Sequence, residues 1–166
     1  PTITEHHHPN DDVRRYINCW QDALITRLHT GIITAAEQQT MNYYMNVGSF
    51  YKNDYGRKLY SEIAMIEEEH VSGYESLKDP NTTWLECALM HEYTECYLYY
   101  SCYKDESDER IKNIWLAHFE EELTHLKIAC ETLEKYEGRD REQLFLGGAE
   151  FPTLVKLKSN KDYVRK

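Results

Sequence analysis

Two short stretches of this 166-residue sequence give the strongest indication of its fold: Glu67-Glu68-Glu69-His70 and Glu122-Leu123-Thr124-His125. In an α-helix, residues three apart lie on the same face, so each stretch places a carboxylate beside an imidazole. One Glu-x-x-His stretch is common by chance. Two of them, each inside a helical pattern of apolar residues, indicate two helices that present matching metal ligands.

A 55-residue spacing connects these stretches and identifies their partners. It separates Glu67 from Glu122, His70 from His125, and also Glu37 from Glu92. A four-helix bundle with a dinuclear metal site needs two Glu-x-x-His helices and one inward-facing Glu from each remaining helix. Glu37 and Glu92 meet that need, so the chain is interpreted as two copies of one helix pair.

The composition agrees with an all-α, ferritin-like four-helix bundle in a single domain over residues 1–166. Gly and Pro are few, and three of the four Pro lie near the ends. Helical periodicity predicts core helices over about 12–47, 55–77, 82–103 and 108–137, the first with a candidate break at Gly31. A tail over 138–166 follows, with a short helical candidate around 142–146.

Inward-facing carboxylates predict bound cations. Several buried carboxylates without counter-charge are prohibitively unstable, whereas two divalent ions nearly neutralise them. Mixed carboxylate and imidazole ligation favours iron, with manganese as the alternative, over a structural zinc. Glu67 and Glu122 are the predicted bridging ligands, and His70 and His125 are each expected on one metal ion.

Several classes of partner and site are disfavoured. The net charge of −10 and the absence of a basic stripe argue against nucleic acid and anionic membranes. The sequence has no candidate membrane span and no signal-peptide pattern, and its five Cys include no Cys-x-x-Cys. We therefore expect a cytoplasmic protein with free thiols, and we expect no native metal site at His6–His8.

The motifs resemble those of the rubrerythrins in the ferritin-like superfamily. Residues 63–70, IAMIEEEH, are similar to their second-helix signature, and residues 92–97, EYTECY, to their third-helix segment. The resemblance implies that Glu95 is an extra ligand that exchanges with a histidine as the iron changes oxidation state. A literal alignment of the Glu-Tyr-Thr-Glu string instead makes Glu92 the extra ligand and leaves Leu89 where the first should be.

The resemblance also implies a function. Two iron ions would reduce hydrogen peroxide, or react with dioxygen, and Tyr44 and Tyr99 would support the ligand carboxylates or simply pack in the core. His118 is expected either to support the ligands or to pack as a core histidine, rather than to bind a metal ion itself. Because the chain lacks a rubredoxin domain, electrons would come from an external, rubredoxin-like donor. The alternatives are an iron-binding or ferroxidase module without turnover, a di-iron oxygenase, and a metal-free bundle.

The short link between the second and third helices constrains the topology. About four residues span about 15 Å, whereas a crossover between parallel helices would climb about 30 Å. Either the second helix ends early, at Gly73, or two chains exchange helix pairs in a domain-swapped homodimer, or the bundle is an ordinary up-down-up-down one. The swapped homodimer is the favoured arrangement.

Overall fold

The structure is a computed structural model that describes residues 15–145, 150–156, 158 and 161–166. Within those residues it is all-helical, as the sequence predicts, and its four long helices are compatible with a helical bundle. The helices are α1 (Leu24–Gly48), α2 (Asp54–Glu75), α3 (Trp84–Asp105), α4 (Glu109–Glu137), α5 (Arg141–Leu144) and α6 (Lys161–Val164). Tyr55, Thr82 and Asp108 were predicted as helix starts, and the observed starts lie within two residues of them.

The start of α1 is the main correction to the predicted boundaries. The helix begins at Leu24, not near residue 12, and it continues through Gly31 without a break. Before it, the Asn18 side chain accepts hydrogen bonds from the backbone N–H groups of Trp20 and Gln21. The Cys19 N–H donates to the Asp79 carboxylate instead of to a helical carbonyl. These local and long-range partners satisfy the backbone without a helix.

The chain divides into two compact units, residues 1–82 and 83–166. In the first unit, α1 and α2 pack together as a helical hairpin, which we call the first hairpin. Its buried apolar residues include Leu28, Ala64 and Val71. The turn closes tightly, because a Cβ on Gly48 would lie 3.1 Å from the Cβ of Tyr60. Asn53 then caps α2 by accepting from the Gly56 N–H.

In the second unit, α3 and α4 form the second hairpin, which the tail extends. A capping box of Thr83 and Glu86 begins α3. Glu86 is fully buried and pairs with Arg139, just beyond the end of α4. Gly138 ends α4 at a φ of 63°, the left-handed conformation that favours glycine.

The tail packs along α3, which gives it a structural role that the sequence left open. The Tyr93 hydroxyl donates to the Glu150 carbonyl at 3.2 Å, and the Tyr97 hydroxyl donates to the Thr153 carbonyl at 2.7 Å. Phe151 of this segment contacts an aromatic cluster on α3 and α4 formed by Tyr93, Tyr97, Tyr100 and Phe119. Residues 150–155 therefore complete the core on this side of the second hairpin.

The link between α2 and α3 is folded into turns. Helix α2 passes through Gly73 to Glu75, close to the predicted end at 77, so the alternative in which the second helix ends early at Gly73 is wrong. After it, the Thr82 N–H donates to the Asp79 carbonyl at 3.1 Å, and the Asp79 side chain accepts from the Asn81 N–H at 2.9 Å. Burial raises the pKa of Asp79, but the Asn81 and Cys19 N–H donors outweigh it and lower the pKa overall.

No helix within the described residues combines the length and the apolar character needed to cross a membrane. The stretch His6–His8 lies outside the described residues.

Candidate metal centre

The first hairpin brings Glu37, Glu67 and His70 together. Glu67 and His70 lie one turn apart on α2, and Glu37 reaches them from α1. The Nδ1 atom of His70 lies 3.1 Å from Glu67 Oε2 and 3.3 Å from Glu37 Oε2. Ligand atoms of all three side chains lie within 4.8 Å of one another, a spacing that one metal ion could bridge.

The second hairpin brings Glu92, Glu122 and His125 together in the same way. Glu122 and His125 lie on α4, and Glu92 lies on α3. The Nδ1 atom of His125 is 2.9 Å from Glu122 Oε2 and 3.8 Å from Glu92 Oε2. Their ligand atoms also lie within 4.8 Å of one another. The structure thus places the six predicted ligands in two groups of identical composition, here called half-sites.

Equivalent side chains of the two half-sites have nearly equal exposure. The α1 and α3 glutamates, Glu37 and Glu92, are 22% and 24% exposed, and the bridging candidates Glu67 and Glu122 are 16% and 17% exposed. The imidazoles of His70 and His125 are about half exposed, at 49% and 55%. Each half-site therefore holds two largely buried carboxylates and one accessible imidazole.

The carboxylates of each half-site repel one another. A hydrogen bond with Glu67 raises the pKa of Glu37, and burial adds to that effect. Burial raises the pKa of Glu92, and so does a hydrogen bond with Glu122. In each half-site the neighbouring carboxylate therefore favours the protonated form of Glu37 or Glu92, as expected for like charges that lack a cation.

The imidazoles respond in the opposite sense. Burial lowers the pKa of His70, but hydrogen bonds with Glu67 and Glu37 outweigh it and raise the pKa overall. A hydrogen bond with Glu122 raises the pKa of His125. Two carboxylates and one imidazole with excess negative charge form a donor set that fits a divalent first-row metal ion.

Glu95 lies one turn after Glu92 on α3 and is partly buried. Among the described residues it is not one of those whose ligand atoms form the group of Glu92, Glu122 and His125. Its charge nevertheless reaches Tyr99, whose pKa is raised by burial and by the charges of Glu95 and Glu122. The role of Glu95 as an extra ligand stays a prediction.

The two tyrosines singled out by the sequence contact other aromatic rings. The Tyr44 ring lies 5.7 Å from that of Tyr60, and the Tyr99 ring lies 6.0 Å from that of Trp115. His118 packs 5.3 Å from the Tyr99 ring, and its Nδ1 lies 3.3 Å from the Glu121 carboxylate. Hydrogen bonds from these tyrosines to ligand carboxylates stay a prediction.

Two features near the second half-site were not anticipated from the sequence. Cys96 is fully buried, and burial together with the charges of Glu122 and Glu92 raises its pKa to about 12, so its thiol stays protonated. A groove of about 400 Å³ opens beside Glu92 and His125. Its apolar lining is Leu85, Ala88, Ile128 and Ala129. The helical spacing of these residues around the two ligands was the available signal.

No protein-family model, no curated protein and no solved structure matches this chain. Its function is therefore inferred from its own residues.

Proposed function

We propose that this protein is a non-haem di-iron oxidoreductase of the rubrerythrin type, which reduces hydrogen peroxide to water with electrons from an external donor protein. The observation that carries the proposal is the repeated half-site: Glu, Glu and His at one 55-residue offset, at matching depth in two hairpins. Two equivalent ligand groups fit a centre of two metal ions better than one mononuclear site.

The chemistry of peroxide explains the need for two ions. Reduction of hydrogen peroxide to two water molecules takes two electrons and two protons, and iron, when bound, supplies one electron from each ion. The protein's part is to hold the ions and to tune them. Glu67 and Glu122 would bridge, and His70 and His125 would each bind one ion. Glu95, found only in the second hairpin, would make the two ions chemically unequal.

We further propose that α1 and α2 of one chain complete the centre with α3 and α4 of a second chain. A single chain with α2 and α3 parallel would need a crossover about 33 Å long, the length of a 22-residue helix. The eight linking residues, 76–83, reach about 28 Å when fully extended. Hydrogen-bonded turns shorten them further, which supports a domain-swapped homodimer.

Metal content after anaerobic loading with Fe(II) tests the shared centre. We expect two iron ions per chain in the wild type. Glu67→Gln or Glu122→Gln should each lower this below one, because loss of a bridging ligand weakens both positions. The controls Glu69→Gln and Glu120→Gln remove exposed carboxylates from the same two helices and should still bind two. One retained ion in each bridging variant would instead indicate independent half-sites.

Mixing two inactive variants tests the exchange of helices. A swapped dimer of one Glu67→Gln chain and one Glu122→Gln chain contains one intact centre and one centre with both substitutions. Random pairing in an equal mixture makes about half of the dimers mixed, and each mixed dimer regains one of its two centres, so refolding the two variants together should restore about a quarter of the wild-type iron. A bundle formed within one chain would restore none.

Oxidation rates test the reaction. The iron-loaded protein should oxidise faster with hydrogen peroxide than with air, and oxidation no faster with peroxide would reject the peroxidase assignment. Anomalous scattering at the iron and manganese edges would identify the metal and its ligands.

An oxygenase is the second candidate, favoured by the apolar groove beside Glu92 and His125. An oxygenase would incorporate oxygen into a small apolar compound. It would also bind that compound more tightly with iron bound than in the metal-free protein.

A further inference from the structure

Aromatic residues occupy equivalent positions beyond the two half-sites. Tyr44 follows Glu37 by seven residues and Tyr99 follows Glu92 by seven, so each lies two helical turns beyond a ligand, about 10 Å along the axis. Each is paired with a ring from the neighbouring helix. The partners, Tyr60 and Trp115, are themselves 55 residues apart. The repeat thus preserves an aromatic pair even where the residue type differs.

In the second pair, Tyr99 is the member affected by the charges around the half-site. Tyr99 is half-buried, and both Glu95 and Glu122 act on its phenol electrostatically. Its ring contacts Trp115, with the two ring centroids 6.0 Å apart and the planes stacked. The aromatic pair of this hairpin therefore begins within electrostatic range of a carboxylate that would bind metal.

The other member of each pair, Tyr60 or Trp115, lies close to a residue in or next to the turn of its hairpin. In the first hairpin, Tyr60 contacts Tyr51, with ring centroids 4.8 Å apart and the two hydroxyl oxygens 3.0 Å apart. Tyr51 is 37% exposed. In the second, Trp115 lies close to Glu106 in the turn after α3. Backbone donors at Asp108 and Ser107 lower the pKa of Glu106, and the Trp115 side chain contributes to that effect.

We propose that Tyr99 with Trp115, and Tyr44 with Tyr60 and Tyr51, are two electron relays that connect the metal centre to the hairpin turns. The proposal rests on the proposed function. Tyrosine and tryptophan are the side chains that lose one electron and one proton to give a neutral radical. Contacts below about 7 Å between ring centroids place successive rings within van der Waals reach.

The relays act when the centre can give only one electron. In that case a relay residue would give hydrogen peroxide one electron and one proton, and the bound iron would supply the other electron. With a second proton from solvent, the products would be two water molecules, oxidised iron and a neutral aromatic radical. The external donor returns one electron, with a proton from solvent, to the exposed end of the relay. The relays would thus prevent incomplete reduction of peroxide at a half-reduced centre.

Electron paramagnetic resonance tests the relays. The full chain, loaded anaerobically with one Fe(II) ion per chain, is mixed with hydrogen peroxide and frozen at once. The wild type should show tyrosyl and tryptophanyl radicals. Trp115→Phe should remove the tryptophanyl signal, and Tyr44→Phe with Tyr60→Phe should diminish the tyrosyl signal. Trp84→Phe and Tyr55→Phe, at residues 86% and 90% exposed, are the matched controls and should leave the signals unchanged.

A second readout follows the fate of the radicals. After repeated additions of peroxide without an electron donor, peptide mass spectrometry should find added oxygen at Trp115 and not at Trp84. Iron that binds and oxidises without any radical, or equal radical signals in Trp115→Phe and wild type, would overturn the relays alone. Failure of the protein to bind iron would overturn both the relays and the proposed function. Circular dichroism and iron content show whether each variant remains folded.

Discussion

The two hairpins have the same residue types at the half-site positions. They differ on another side of their first helices, α1 and α3. Gln38, Asn42 and Asn46 are exposed on α1. The residues 55 positions later on α3 are Tyr93, Tyr97 and Ser101, and all three are buried beneath residues 150–155. The ligand positions thus have the same residue types in both copies. The other side is polar on α1, where it is exposed, and mainly aromatic on α3, where residues 150–155 cover it.

A second difference lies beside the ligands themselves. Thr40 of the first hairpin corresponds to Glu95 of the second. The Thr40 hydroxyl donates to the carbonyls of Ala36 and Glu37, a local bond within its own helix. Glu95 instead adds negative charge near the second half-site. The hairpins therefore share their candidate ligand residues but differ in the charge beside them, a difference that the proposed di-iron centre would need if its two ions are to be unequal.

Removing the tail's main anchor should produce the largest difference between the hairpins. Tyr97→Ala deletes a fully buried ring and its hydrogen bond to Thr153, and should cost about 3–5 kcal/mol of unfolding free energy. The equivalent Asn42→Ala on the exposed side of α1 should change it by less than about 0.5 kcal/mol.

Urea denaturation of the metal-free protein measures both Tyr97→Ala and Asn42→Ala. Tyr97→Phe is the control, because it keeps the ring and loses only the hydroxyl, at a cost of about 1 kcal/mol. Equal losses for the two alanine variants would show that the tail does not stabilise the second hairpin.

The helix caps should show equal effects instead. Asn53 caps α2 through the Gly56 N–H at 2.7 Å, and Asp108, 55 residues later, caps α4 through the Arg110 N–H at 2.9 Å. Alanine at either position should cost about 1 kcal/mol, measured by the same denaturation. Asn113→Ala, at an exposed position inside α4, serves as the control. A loss of unfolding free energy in only one of the two alanine variants would contradict the structural equivalence of the hairpins.

The smallest effect concerns pH, because the titrating groups are partly exposed and solvent screens them. Raised pKa values at Glu37, Glu92, His70 and His125 mean that the folded, metal-free protein binds more protons than the unfolded chain. This stabilisation is complete below the ordinary values of 4.5 and 6.5 and is lost as pH rises through the raised ones.

Thermal unfolding of the metal-free protein should therefore shift to lower temperature as pH rises from about 5 to 8, a range that brackets the ordinary histidine pKa. Glu37→Gln with Glu92→Gln should flatten the dependence. Saturating Fe(II) should reverse it, because metal binding requires deprotonated ligands. A metal-free protein that becomes more stable over this range would contradict the assigned pKa directions.

Helical periodicity gave most of the long-helix boundaries but not the start of α1. The pattern from residue 12 onward is compatible with a helix. The hydrogen bonds to the Asn18 side chain and the contact between Cys19 and Asp79, 60 residues apart, show why the chain turns there instead. Glu86 is a similar case. A glutamate near a helix start looks solvent-exposed in sequence, yet it is fully buried because Arg139 lies opposite it.

Helical periodicity and the fixed offset identify the helical class, the repeat and the six candidate ligands, because they single out residues that share a helix face. The aromatic partners of Tyr44 and Tyr99, the cover of the tail over Tyr93 and Tyr97, and the folded link after α2 emerge only in the folded chain. Those outcomes depend on partners distant in the chain or on local turn hydrogen bonds. Sequence spacing within one helix carries no information about either.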